Sequence, residues 1–192
     1  MRIVRRGEFR RMRWKNGKGV TEEIASFPEG AGLDGLEWRL SIAHVDADGP
    51  FSVFPGIDRT IALLDGAGLT LDTPEGEIAL AAGGEPYAFP GEWEISSRNA
   101  AGATVDLNVM TRRGRWQHEM RRVAAGADLP VASGGWVVFN APAMLLHAGQ
   151  EIPLERYDAV RCEGEGRLTL AGDRPVEALV VELRRRDDPA PR

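Results

Sequence analysis

Asp106-Leu107-Asn108-Val109-Met110-Thr111-Arg112 alternates polar and apolar side chains. That period of two marks a β-strand with one apolar face. Asp106 and Asn108, continued toward Met110 and Arg112, share the other face. Trp38-Arg39-Leu40-Ser41-Ile42-Ala43-His44-Val45 does the same: Arg39 and Ser41 lie opposite Trp38, Leu40 and Ile42, and the alternation breaks only at Val45. Two strands therefore each carry a polar row. Such rows face water in half-buried antiparallel sheets, or they line a small barrel, where they signal ligand binding. The pattern alone leaves both readings open.

The surrounding texture is also β. Residues 20–27, 37–45, 60–64, 69–72, 77–81 and 104–111 read as short strands punctuated by Gly, Pro and Asp. Strand texture returns at 136–139, 144–147, 158–162, 167–170 and 176–183, while 116–121 reads as a turn or strand and 124–133 as a loop. No long amphipathic helix is visible. Leu63-Leu64-Asp65-Gly66-Ala67-Gly68-Leu69-Thr70-Leu71 is echoed by Cys162-Glu163-Gly164-Glu165-Gly166-Arg167-Leu168-Thr169-Leu170. The echo points to two related β-barrel halves.

Composition narrows the function. With 192 residues, 43% apolar and 28% charged, the chain is long enough for one domain or two small fused halves, each with a core. The net charge is −5 and no basic face interleaves with aromatics, which argues against nucleic acid as a partner. The Arg184-Arg185-Arg186 run is followed at once by Asp187 and Asp188 and reads as a solvated tail. No apolar run approaches the ~20 residues of a membrane-spanning helix. Met1-Arg2-Ile3-Val4-Arg5-Arg6-Gly7 carries no hydrophobic signal segment, and the lone Cys162 forms no internal disulfide; the expected location is the cytoplasm.

Trp14-Lys15-Asn16-Gly17-Lys18-Gly19-Val20-Thr21 is the stretch richest in chemistry. A ring face, a cation, an amide and a hydroxyl crowd around glycines that permit unusual backbone angles or close approach. The plainer reading is a turn with a Trp tucked beneath it. Gly17-Lys18-Gly19 lacks the upstream glycine and strand-to-helix setting of a phosphate loop. Asp48-Gly49-Pro50-Phe51-Ser52-Val53-Phe54-Pro55-Gly56-Ile57-Asp58-Arg59 reads as a surface turn with an exposed ion pair, or as a loop closing one pocket wall. His44, His118 and His147 are dispersed and fit no metal-ligand spacing. Ser41 and His44 point to opposite strand faces and cannot pair locally.

These stretches together resemble the HutD/Ves family. The resemblance rests on Trp14-Lys15-Asn16-Gly17-x-Gly19-Val20-Thr21-x-Glu23-Ile24, Trp38-Arg39-Leu40-Ser41-Ile42-Ala43, Asp48-Gly49-Pro50-Phe51-Ser52, Phe54-Pro55-Gly56-Ile57-Asp58-Arg59 and Asp106-Leu107-Asn108-Val109-Met110-Thr111-Arg112-Arg113-Gly114. It spans about residues 10 to 115. It implies an all-β bicupin, two cupin-type double-stranded β-helix barrels of the RmlC-like jelly-roll kind, with a small-ligand pocket. Some members accompany bacterial histidine utilisation, with N-formylglutamate, urocanate or formate as the leading ligand idea. Two positions depart from the family pattern: Lys18 stands where a third glycine is usual, and Glu22 where an Arg is usual. Gly84-Glu85-Pro86-Tyr87-Ala88-Phe89-Pro90-Gly91-Glu92-Trp93-Glu94 resembles the second cupin motif without its metal-binding His, and the first motif's His-x-His is absent.

The expectation is therefore a metal-free bicupin with no cofactor. A first half, residues 1–128, carries the pocket, and a smaller second half, 129–192, completes one integrated unit with strands that the halves can share. The partner is a small anionic metabolite, not nucleic acid or membrane, and a homodimer is left open. The ligand-binding candidates are Trp14, Lys15, Asn16, Thr21, Glu23, Arg39, Ser41, Asp58, Arg59, Asp106, Asn108 and Arg112. Arg39 and Arg112 are the carboxylate clamps, because a guanidinium fork matches a carboxylate. Glu23 and Asp106 orient those arginines or act as acid/base groups, and Trp14 supplies a stacking wall. The rival is a metal-free isomerase, epimerase or hydrolase using Glu23 or His44. A further alternative is a protein-interaction module with a vestigial pocket.

Overall fold

Branched and aromatic side chains suit an extended backbone, and glycines at positive φ turn it between strands. The computed structural model describes residues 1–14, 16–164, 166–172 and 174–186. Among these residues there is no α-helix, only two 3-10 turns at Arg6–Glu8 and Leu33–Gly35. The all-β expectation holds. Residues 116–121, left between turn and strand, belong to the strand Trp116–Ala125, and the supposed loop 124–133 contains the strand Asp128–Val131. The short segments Arg10–Arg13, Gly49–Pro50, Tyr87–Pro90 and Ser96–Asn99 are strands that local pattern did not mark.

The described residues divide into two compact units, one of 10–118 with 184–186 and one of 1–9 with 119–183. The division falls at 118/119, not at 128/129. The N-terminal residues join the second unit because Arg2–Val4 pairs with Ala159–Arg161, Ile3 opposite Val160. Glu119–Ala125 joins it as part of an edge strand of the same sheet.

In the first unit a six-stranded antiparallel sheet runs in the order Arg10–Arg13, Gly19–Phe27, Trp38–Val45, Thr104–Arg112, Ile57–Asp65, Tyr87–Pro90. A four-stranded sheet runs Gly49–Pro50, Ser96–Asn99, Leu69–Thr73, Gly76–Leu80. One apolar cluster joins the two sheets: Ile61, Leu63 and Phe89 from the first pack with Leu69, Leu71 and Leu80 from the second. Register then sets three cross-strand rows on the inner face. Ser26, Arg39, Met110, Arg59 and Phe89 form one; Glu23, Ser41, Asn108 and Ile61 the next; Thr21, Ala43, Asp106 and Leu63 the third. Directly paired residues share a face, so the polar rows turn inward. Leu40, Ile42, Leu107 and Val109 occupy the opposite face, fully buried.

The second unit has a five-stranded and a four-stranded sheet, the latter in the order Asp128–Val131, Gly166–Ala171, Ala143–His147, Gln150–Leu154. Its interior is filled by hydrocarbon: Val137, Phe139, Leu145, Leu154, Leu168, Leu170 and Val180 pack together, with Cys162 among them. Burial pushes the Cys162 thiol up, which disfavours its thiolate. The Leu-Thr-Leu echo does not mark equivalent strands. Leu69–Leu71 begins an edge hairpin with Gly76–Leu80, whereas the hairpin of the second unit is Ala143–His147 with Gln150–Leu154. Leu168–Leu170 instead lies between that hairpin and Asp128–Val131.

Candidate functional site

The loop after Arg13 turns because Gly17 adopts φ +71°. Its amide donates to the Trp14 carbonyl at 3.1 Å, and the Trp14 amide donates to the Gly19 carbonyl at 3.0 Å. Asn16 Oδ1 accepts from the Lys18 amide at 3.0 Å. Gly19 lies against the next strand so closely that a Cβ would stand 2.3 Å from the His44 carbonyl oxygen. The loop thereby folds the indole of Trp14 back onto the sheet, where Nε1 donates to Thr21 Oγ1 at 2.8 Å. Lys15 lies outside the described residues. Lys18 is a clasp, its Nζ donating to the Asp48 carbonyl at 2.7 Å. Glu22 points to the opposite face from Thr21 and sits 3.1 Å from His44 Nε2.

Beneath the loop is a cavity of 590 Å³, lined by Trp14, Asn16, Thr21, Arg39, Ser41, Arg59, Asp106 and Asn108 among the expected residues. The polar rows thus enclose space inside the first barrel. Glu23 sits in the adjoining row opposite Ser41, buried, with Ser26 Oγ donating to its Oε1 at 3.1 Å.

Two expected residues are elsewhere. Asp58 precedes Arg59 on its strand and so points the other way; it pairs with Arg113 Nε at 2.7 Å near the surface. Arg112 ends its strand and spans back to a turn, with Nε donating to the Leu36 carbonyl at 2.8 Å and Nη2 to the Asp34 carbonyl at 3.2 Å. The arginines that line the cavity are therefore Arg39 and Arg59, not Arg39 and Arg112.

The sequence reading treated the loop 48–59 as a pocket wall but missed what its aromatics do. The Arg59 guanidinium carbon is 5.3 Å from the ring centroids of both Phe51 and Phe54, and 4.9 Å from that of Phe89. Three rings hold its planar faces by cation–π attraction. Phe89 is its cross-strand partner, within the likeness of the second cupin motif. Met12, Arg13, Pro50 and Ser52 complete the rim. Pro50 and Ser52 belong to the 48–59 loop, whereas no local signal distinguished Met12 and Arg13.

The electrostatics are those of an incomplete site. Burial lowers the Arg59 pKa to about 10, with Asp106 opposing the fall and Arg39 adding to it. Burial pushes the Asp106 carboxyl up to about 7 against the pull of Arg59. Arg39 is also lowered, first by burial, with Glu23 opposing and Arg10 assisting. Arg39 Nη2 donates to the Met110 sulfur at 3.0 Å. Arg39 Nε, Arg59 Nε and Asn108 Oδ1 are buried without a hydrogen-bond partner among the described residues. An unpaired buried donor costs about 1–3 kcal/mol, which an incoming acceptor recovers.

The histidines stand apart from this site. His118 Nε2 and Nδ1 are 2.8 and 2.7 Å from the hydroxyls of Thr60 and Thr111, and burial lowers its pKa to about 4. His147 is exposed. Among the described residues no three His, Cys, Asp or Glu side chains come together as a metal site would need.

Two β-barrel units, one with an apolar core and one enclosing a polar cavity lined by buried Arg59 and half-buried Arg39, define a bicupin. The chain belongs to the HutD family, whose model matches residues 6–180. It is 33% identical over 171 residues to an uncharacterized 21.2 kDa protein in the hutC 3′ region of Pseudomonas putida, covering 88% of this chain and 90% of that one. The structure of a conserved protein of unknown function from Pseudomonas aeruginosa PAO1 superposes with a TM-score of 0.81 at 34% identity, covering 95% and 97% of the two chains. HutD from Pseudomonas fluorescens SBW25, in a structure described as a formate condition, gives a TM-score of 0.79 at 29% identity over 96% and 98%. Among the described residues no helix is long and apolar enough to cross a membrane.

Proposed function

We propose that the first barrel binds a small carboxylate metabolite and that the protein serves histidine utilisation as an accessory or regulatory factor. The observation that carries the reading is a pair of arginines lining one cavity, Arg59 buried and Arg39 half-buried, each with a buried Nε that has no hydrogen-bond partner among the described residues. A carboxylate supplies the acceptors they lack, and a guanidinium presents the matching fork. Asn108, Ser41 and the Trp14 ring offer a hydrogen-bonding and stacking lining for the rest of the molecule. The hutC-region relative and the formate condition of the Pseudomonas fluorescens protein support the choice of N-formylglutamate, urocanate or formate as first ligands to try. A cytoplasmic location follows from this role.

The test is calorimetric titration of these three compounds into wild type and Arg39→Ala. Saturable binding lost in the variant supports the reading; equal binding by a folded variant rejects it.

One observation favours the enzymatic alternative, an isomerase, epimerase or hydrolase acting on the same carboxylate. Asp106 has a pKa near neutrality inside the cavity, where acid–base catalysis works best. His44 points away from the cavity, so Asp106 or Glu23 would carry the proton. Conversion of any of the three compounds, abolished in Asp106→Asn, would establish turnover.

A further inference from the structure

Among the described residues two aspartates are deeply buried, with opposite surroundings. Asp158, 2% exposed, receives hydrogen bonds from Arg5 Nη1 at 2.7 Å, the Arg6 amide at 2.9 Å and the Glu155 amide at 3.0 Å. Burial alone would push it up, but these donors win and hold its carboxyl below the ordinary range. Asp106, 3% exposed, receives no such hydrogen bond among the described residues; burial raises its pKa and the charge of Arg59 opposes the rise. A carboxylate without donors in a low-dielectric site favours its neutral form. Asp158 is built to stay charged, and Asp106 is not.

Position makes this consequential. Asp106 lines the same cavity as Arg39 and Arg59. The charged groups on the same face of the sheet are Arg59 and Arg39, one on each neighbouring strand, and Glu23 on the next strand with Thr21, and Arg13 lies at the rim. An anion seated between the arginines consumes the positive charge that keeps Asp106 ionised and adds a negative charge beside it. Both effects drive a proton onto the Asp106 carboxyl. The protonated carboxyl is then a donor facing an acceptor, where the carboxylate had been a repelling charge.

We propose that Asp106 takes up one proton as the anion enters and donates a hydrogen bond to it, so that the cavity binds an anion together with a proton. This rests on the anion-binding reading of the first barrel. Asp106 is the specificity-determining group in this scheme. It excludes ligands that offer it no acceptor, and it makes occupancy fall as the medium turns alkaline.

The experiment uses formate and glutarate, which remain anionic across the range. Binding to the full chain is measured from pH 6 to 9 at fixed chloride, in two cationic buffers of different ionisation enthalpy. The expected wild-type affinity is flat at low pH and weakens by up to about tenfold per pH unit above about 7, with proton uptake rising toward one per ligand. Asp106→Asn keeps a neutral donor of the same shape. It should bind at pH 9 as it does at pH 6, with no proton uptake, and thermal unfolding checks its fold. Saturable wild-type binding that is independent of pH, or proton uptake that persists in Asp106→Asn, overturns the inference while leaving the anion site standing. Absence of binding by either probe at every pH overturns both.

Discussion

Arg59 and Asp106 line one cavity and work against a common cost: burial disfavours the charge on each, while each steadies the charge on the other. Neither is fully satisfied, since Arg59 Nε has no acceptor among the described residues. A solvent-exposed ion pair would be worth little. Inside a barrel, the same two charges create a demand for a third partner.

The arginines should dominate affinity. Arg39→Ala or Arg59→Ala removes a charge-assisted interaction worth on the order of 2–4 kcal/mol, so binding of a small carboxylate should become undetectable by calorimetry. Arg39→Lys should also weaken it, because an ammonium does not reproduce the planar fork. Wild-type affinity in either alanine variant would reject the clamp.

Trp14→Ala should weaken binding by less, on the order of 1 kcal/mol, through lost stacking area. Thr21→Val removes the acceptor for Trp14 Nε1 at nearly constant volume. It should loosen the indole and lower affinity in the same direction, read from the two titrations side by side.

Gly19→Ala places a methyl group against the His44 carbonyl, which the sheet holds in position. The expected result is a loss of more than about 2 kcal/mol with disturbance of the cavity wall, seen as a lowered Tm. Gly17→Ala meets open space and only the strain of φ +71°, so it should cost about 1 kcal/mol. Equal Tm values for the two variants would contradict this account of Gly19.

Two buried groups should tilt stability in opposite directions with pH. The folded-state pKa of Asp106 is raised from 3.8 to about 7, so the folded protein keeps a proton that the unfolded chain releases, and stability falls between about pH 4 and 7. His118 is lowered from 6.5 to about 4, so its contribution is present above pH 6.5 and is lost as pH falls toward 4. The two slopes oppose each other in the wild type. Asp106→Asn should therefore raise stability at pH 8 by on the order of 2–4 kcal/mol and expose the His118 slope, measured by urea unfolding across the range. A lower stability of Asp106→Asn at pH 8 would contradict the sign for Asp106.

Much of the first barrel was legible locally. The period of two in 38–45 and 104–112 named the strands and put Arg39, Ser41, Asp106 and Asn108 in polar rows, since alternation is a property of the extended backbone itself. The crowded glycine stretch at 14–21 marked a loop with pocket chemistry, and the ordered motifs from about 10 to 115 carried the family. The short strands Tyr87–Pro90 and Ser96–Asn99 were not legible, because so few residues carry no period and their pairing is non-local.

What the sequence by itself determined was the longer strands, the polar rows and the family they belong to. The tertiary structure alone decided which way the rows face. Closure of the barrel turned Arg59 inward among three phenylalanines, left Asp58 outside beside Arg113, and let Arg112 reach back to the Leu33–Gly35 turn. It also sent Met1–Phe9 to the second unit and separated the two Leu-Thr-Leu segments into inequivalent strands. The reason is that alternation is written between neighbours along the chain, while register, burial and the charge a buried group can keep are set by residues far away in it.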